Sequence, residues 1–139
     1  MLAFLRQWRD EGFGPLAALH RRTGEWIGQI GLNRVAGWPH ADNAEVGFEL
    51  KPWCWGQGLA TEGARACLRF GFDQLGLGRI IGVTNPANAA SRRVLEKAGL
   101  AYQGLLPFPP GLESAWYCVE RATLGATRTS GRASRPVRW

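Results

Sequence analysis

Trp55-Gly56-Gln57-Gly58-Leu59-Ala60-Thr61 joins a strand to a helix. Ala44 to Leu50 reads as the strand, ended by Lys51-Pro52. Beyond the turn, Ala60, Ala64, Cys67, Leu68, Gly71 and Leu75 fall on one helical face. The first N–H groups of a helix lack internal partners, and the macrodipole adds partial positive charge there. An anion docks at such a corner when no side chain blocks it. Gly56 and Gly58 clear the approach, Ala60 keeps the first turn slim, and Thr61 offers a hydroxyl. A Walker loop is excluded, because its lysine and longer spacing are absent. A GxGxxG fingerprint is excluded too, since its third glycine would fall at Thr61. Taken alone, the pair is explained equally well by a turn that needs glycine.

Working outward, Leu2 to Asp10 reads as the end of a short helix, with Leu2, Leu5 and Trp8 recurring every three residues. Leu16 to His20 and Glu25 to Val35 are strand-like, and Arg22-Thr23-Gly24 supplies a hairpin turn. Ala36 to Asn43 is a loop. Gly76 and Gly78 end the long helix, and Arg79 to Thr84 is a short buried strand. Asn85-Pro86 breaks it, and Ala89 to Ala98 forms a second helix with Gly99 as its stop. Tyr102 to Leu105 and Ala115 to Leu124 are the last strands. The order is helix, three strands, helix, strand, helix, two strands, which is a mixed α/β domain.

The chain has 139 residues, enough for one ordinary domain. Hydrophobic residues are 45% and charged residues 20%, the balance of a soluble globular protein. No apolar run nears the ~20 residues that cross a bilayer, and the opening residues lack the form of a secretory signal. A cytoplasmic location without membrane partners is the default expectation. Net charge is +6, but Arg128, Arg132, Arg135 and Arg138 lie in an acid-free segment from Gly125 to Trp139. The remaining 13 of the 17 basic residues face 11 acids, so residues 1–124 form a nearly neutral domain. Residues 125–139 read as a basic disordered tail, a solvated extension more than a nucleic-acid arm. Cys54, Cys67 and Cys118 form no CxxC pair, and His20 and His40 lack ligand spacing, so no disulfide framework and no metal site is expected.

Several stretches in one order resemble the GNAT superfamily of acetyltransferases, and within it the RimJ/RimL-like N-acetyltransferases. They are Ala44-Glu45-Val46-Gly47-Phe48, then Trp55 to Glu62, Leu75-Gly76-Leu77-Gly78-Arg79-Ile80, Asn85-Pro86-Ala87-Asn88-Ala89-Ala90-Ser91, and Arg93 to Leu100. The likeness runs from Gly12 to Leu124. It implies an α+β fold with a mostly antiparallel central sheet and flanking helices. It also implies acetyl-coenzyme A as co-substrate, with acetyl transferred to a protein N-terminus or a small-molecule amine. A homodimer is compatible with it.

The family motif Gln/Arg-x-x-Gly-x-Gly/Ala matches at Gly58 and Ala60, with Trp55 in place of Gln or Arg, as is frequent in the RimL-like branch. The resemblance implies that backbone N–H groups of Gly56, Gln57, Gly58, Leu59, Ala60 and Thr61 hold the pyrophosphate. It further implies that Phe48, Glu49 and Leu50 offer backbone to the pantetheine arm. Asn88 matches a coenzyme-contacting asparagine and equally suits a helix N-cap. Ser91 matches a serine near the sulfur. A tyrosine usual one turn further on is Leu95 here, which leaves Ser91 to hydrogen-bond the departing sulfur. A base for the amine belongs on the acceptor side, where Glu45 and Glu49 share a strand face. Glu45 is the first candidate, a bound water its competitor and a solvated carboxylate the plain alternative.

Family members begin with a strand and one or two helices that help build the acceptor pocket. That first strand and helix are expected to be missing, through an upstream start or a shortened protein. Two further readings stay open: a non-catalytic acyl-coenzyme A binder lacking part of the acceptor wall, and nucleic-acid binding through the arginine tail.

Overall fold

A helix opens the described chain and a run of antiparallel strands follows, because Gly12 ends the helix and Gly24 turns one strand back on the next. In the computed structural model, which describes residues 2–123, α1 spans Leu2–Glu11, β1 Pro15–Leu19, β2 Trp26–Arg34 and β3 Ala44–Leu50. A short 3-10 turn at Pro52–Cys54 leads to α2, Leu59–Asp73. Then follow β4 at Arg79–Thr84, α3 at Ala89–Ala98, β5 at Ala101–Leu106 and β6 at Ser114–Glu120. The order expected from sequence is therefore found. The basic tail from Gly125 onward lies outside the described residues.

The strands form one sheet in the order β1-β2-β3-β4-β6-β5. Its neighbours pair antiparallel except β3 and β4, which run parallel. Residues of period two give each strand one face to the helices. Leu32, Val46, Ile80, Ala115, Tyr117 and Val119 meet Ala64, Cys67, Leu68 and Phe72 of α2 and Leu95 and Ala98 of α3. Both helices thus cover the same face. A second cluster of Ile27, Leu50 and Cys54 anchors the start of the β3–α2 connection.

Beyond the reach of β1, the exposed edge of β2 is met by a side chain. Gln7 of α1 donates to the Leu32 carbonyl at 3.1 Å and accepts from the Arg34 N–H at 3.3 Å. One correction concerns the last strand, expected to reach Leu124. It stops at Glu120, the partner of Arg79, because β4 offers no residue beyond Arg79 to pair with. The Arg121 N–H turns to the Gly78 carbonyl, and 121–123 are helical.

Tyr117 ties α3 to the sheet. It is fully buried, its hydroxyl accepts from Arg92 Nε at 2.8 Å and donates to Glu96 at 3.3 Å, and Arg92 also reaches the Pro86 carbonyl at 3.0 Å. Removing that hydroxyl leaves Arg92 Nε without its partner. We expect Tyr117→Phe to cost about 1–2 kcal/mol, read as a lower denaturant midpoint at unchanged slope.

Candidate functional site

Strands β3 and β4 share a single bridge, Glu45 opposite Ile81, and separate beyond it. Because they are parallel, their C-terminal ends lie at the same edge of the sheet, and α2 and α3 both start there. Past that bridge the ladder pairs no further residue of β3 with β4. Lys51 N–H bonds the Ile27 carbonyl at 2.8 Å, in register with the β2–β3 ladder. Main-chain direction alternates along a strand. Glu45, Gly47 and Glu49 therefore turn theirs toward β2, while Phe48 and Leu50 turn theirs into the gap. Of the three residues expected to offer backbone to the coenzyme arm, Phe48 and Leu50 are so placed. Glu49 is not, since its ladder partner Gln29 takes its main chain.

The corner at the end of β3 is built by local rules. Gly56 and Gly58 have φ of 76° and 75°, values that L side chains rarely adopt. A Cβ on either would meet nothing within 4 Å, so both border open space. The first helical bond of α2 runs from Glu62 N–H to the Gly58 carbonyl at 3.0 Å. Gly58 is the N-cap and supplies no side-chain cap. Among the described residues, the N–H groups of Gly58, Leu59, Ala60 and Thr61 have no hydrogen-bond partner. Four amides bundled at a positive dipole end are a receptor for a diphosphate. Gln57 folds its side chain back to the Trp53 carbonyl at 3.3 Å, leaving that space clear.

Sequence reasoning missed the part taken by Trp55. Its indole N–H donates to the Leu50 carbonyl at 2.8 Å, although the ring is 66% exposed. That bond uses the Leu50 carbonyl, so Leu50 offers only its N–H to the gap.

At the end of β4, Asn88 caps α3, its Oδ1 accepting from Ser91 N–H at 3.0 Å. Its Nδ2 has no partner among the described residues and is left to reach outward. The cap and coenzyme readings of Asn88 are therefore compatible. Ser91 is half-buried in the first turn of α3. Leu95 is buried against Gly82 of β4, so the position of the usual tyrosine is core here.

Glu45 is half-buried on the sheet face opposite α2 and α3, at the point where the gap opens. Burial raises its carboxyl from 4.5 to about 7. Glu49 shares that face but is exposed. Close by, Trp38, His40, Phe108 and Trp116 form an aromatic cluster over the same face, with His40 stacked on Trp116 at 5.0 Å. Trp38 is buried and Trp116 half-buried in this cluster, whereas Trp26 and Trp53 are exposed and outside the core. Cys54 and Cys67 are buried, and burial pushes the Cys67 thiol up to about 11. No group of three metal-ligating side chains occurs among the described residues.

The comparisons agree with this geometry. Residues 1–101 match the family described as Acetyltransferase (GNAT) domain. The FsC-acetyl coenzyme A-N(2)-transacetylase of Aspergillus fumigatus is 43% identical over 77 residues, 52% of this chain and 33% of that protein. An acetyltransferase from Agrobacterium tumefaciens superposes with a TM-score of 0.73 at 31% identity, over 84% of this chain and 66% of that one. An aminoglycoside acetyltransferase solved in complex with coenzyme A superposes with a TM-score of 0.73 at 25% identity, over 87% of this chain and 73% of that one. This chain thus spans a third of the curated relative and about two thirds of the first structure. With the family match over most of its length, and a splayed parallel pair leading to a bare helix start, the chain belongs to the GNAT acetyltransferase family.

Proposed function

We propose that this chain transfers the acetyl group of acetyl-coenzyme A to a primary amine, as a member of the RimJ/RimL-like branch. The acceptor is a protein N-terminus or a small-molecule amine. The observation that carries the reading is the set of bare amides from Gly58 to Thr61 beside a gap that opens at Glu45. In this reading the pyrophosphate sits on those amides, and the pantetheine arm pairs with Phe48 and Leu50.

The chemistry follows from the groups in place. A simple alkylammonium has a pKa near ~10 and must lose a proton before it attacks. Glu45, at about 7, is ionised in a useful fraction at neutral pH and accepts that proton. The amine nitrogen then bonds to the thioester carbonyl carbon. A backbone N–H of β3 that faces the gap and is not taken by the pantetheine arm meets the developing oxyanion. As the C–S bond breaks, the electron pair leaves on sulfur, which takes the second proton from the nitrogen and to which Ser91 donates a hydrogen bond. The products are the N-acetyl amine and coenzyme A.

The test is thiol release from acetyl-coenzyme A against a panel of peptide N-termini and small amines. We expect stoichiometric acetylation of at least one primary amine. Tight coenzyme binding without turnover of any acceptor would instead mark a non-catalytic acyl-coenzyme A binder.

A further inference from the structure

The β1–β2 turn carries two cations to which acetyl transfer gives no task. Arg21 and Arg22 are both exposed at its tip. The Gly24 N–H closes the turn on the His20 carbonyl at 2.8 Å, and His20 Nδ1 accepts from the Arg22 N–H at 3.2 Å. Neither guanidinium has an ion pair or a hydrogen bond among the described residues. Two adjacent like charges without an acid partner repel each other, so the pair favours an anion supplied from outside.

Their position decides which anion. Gly28 of β2 stands opposite Leu50 of β3, so the turn before β2 lies beside the corner after β3. A cavity of about 1130 Å³ is lined by Gln57 and Leu59 of that corner and by Arg21 and Arg22 of the turn, with Ile27 and Ile30 adding apolar wall. Among the described residues of this lining, Glu62 is the single acid, and neither arginine is paired to it. We infer that this cavity takes the 3′-phosphoadenosine end of the coenzyme, and that Arg21 and Arg22 hold its 3′-phosphate. The inference rests on the coenzyme site proposed above. Coenzyme A carries a second anionic group, a phosphate on the ribose 3′-oxygen, one sugar ring away from the diphosphate. With the diphosphate on the amides of Gly58 to Thr61, that sugar starts from residues that also line the cavity. Guanidinium groups meet phosphate oxygens in pairs, and the apolar wall suits the adenine ring. Both arginines are exposed, so their hold on the phosphate weakens as salt rises.

The experiment measures the affinities of coenzyme A and 3′-dephospho-coenzyme A by isothermal titration, at low and high potassium chloride. Wild type, Arg21→Ala/Arg22→Ala, Arg21→Lys/Arg22→Lys and, as a charge control, Arg6→Ala on α1 are each titrated, and their thermal midpoints are recorded. We expect wild type to bind coenzyme A about tenfold to thirtyfold more tightly than the dephospho form at low salt, a preference that shrinks at high salt. The double alanine variant should bind both compounds with the wild-type affinity for the dephospho form. The double lysine variant should keep most of the preference, and Arg6→Ala all of it. Equal affinity for the two compounds in wild type overturns the inference while the coenzyme reading stands. A preference kept by the double alanine variant overturns it too, and a raised acceptor KM in that variant would then give the arginines to the acceptor. Binding of neither compound overturns both.

Discussion

Gly58→Glu abolishes measurable acetyl-coenzyme A binding at micromolar protein, a loss of at least about a hundredfold in affinity. Two effects act at this position. The residue sits at φ 75°, where a non-glycine residue is strained by about 1–2 kcal/mol. The new carboxylate also projects into the open space beside the bare amides, where it repels a diphosphate and competes for the same donors. Gly76 separates the two effects. It follows α2 at the opposite end, has φ 66°, and also borders open space. Gly76→Glu should destabilise the fold by a similar amount and leave coenzyme affinity unchanged, which isothermal titration reads directly.

Glu45→Gln should lower kcat by about 10²–10⁴ with coenzyme affinity intact. The substitution keeps shape and removes the base. In wild type the rate should rise through an acid limb with an apparent pKa of about 7, and the variant should lack that limb. The same residue makes a stability prediction of definite sign. Its carboxyl titrates at about 7 when folded and 4.5 when unfolded, so between these values the folded chain holds more protons. Its favourable contribution is full below about 4.5 and is lost as pH rises past 7. Glu45→Gln removes the cost of burying the charge. At pH 8 the variant should be more stable than wild type by up to about 3 kcal/mol, while near pH 4 the two should unfold together. A carboxylate kept against the interest of stability is what a working base requires.

What could be read from the residues alone was what local rules govern. Two glycines ahead of an amphipathic run announce a strand-to-helix corner, and both were found at positive φ. The element order was legible for the same reason, since period and turn residues act over a few positions. Legibility ended where register decides. That Glu49 turns its backbone to Gln29 while Phe48 faces the gap depends on the β2–β3 pairing. The indole of Trp55 on Leu50 and the Arg92–Tyr117 bond join residues that no spacing rule relates. The end of β6 was misjudged because it is set by where β4 begins, not by the apolar run itself.

Coenzyme binding at the β3–α2 corner is a grip of backbone amides on a diphosphate. A crystal structure with acetyl-coenzyme A should place pyrophosphate oxygens within hydrogen-bond distance of the N–H groups of Gly58 to Thr61, with the arm running between β3 and β4. A coenzyme lodged elsewhere, with those amides bare, would contradict it.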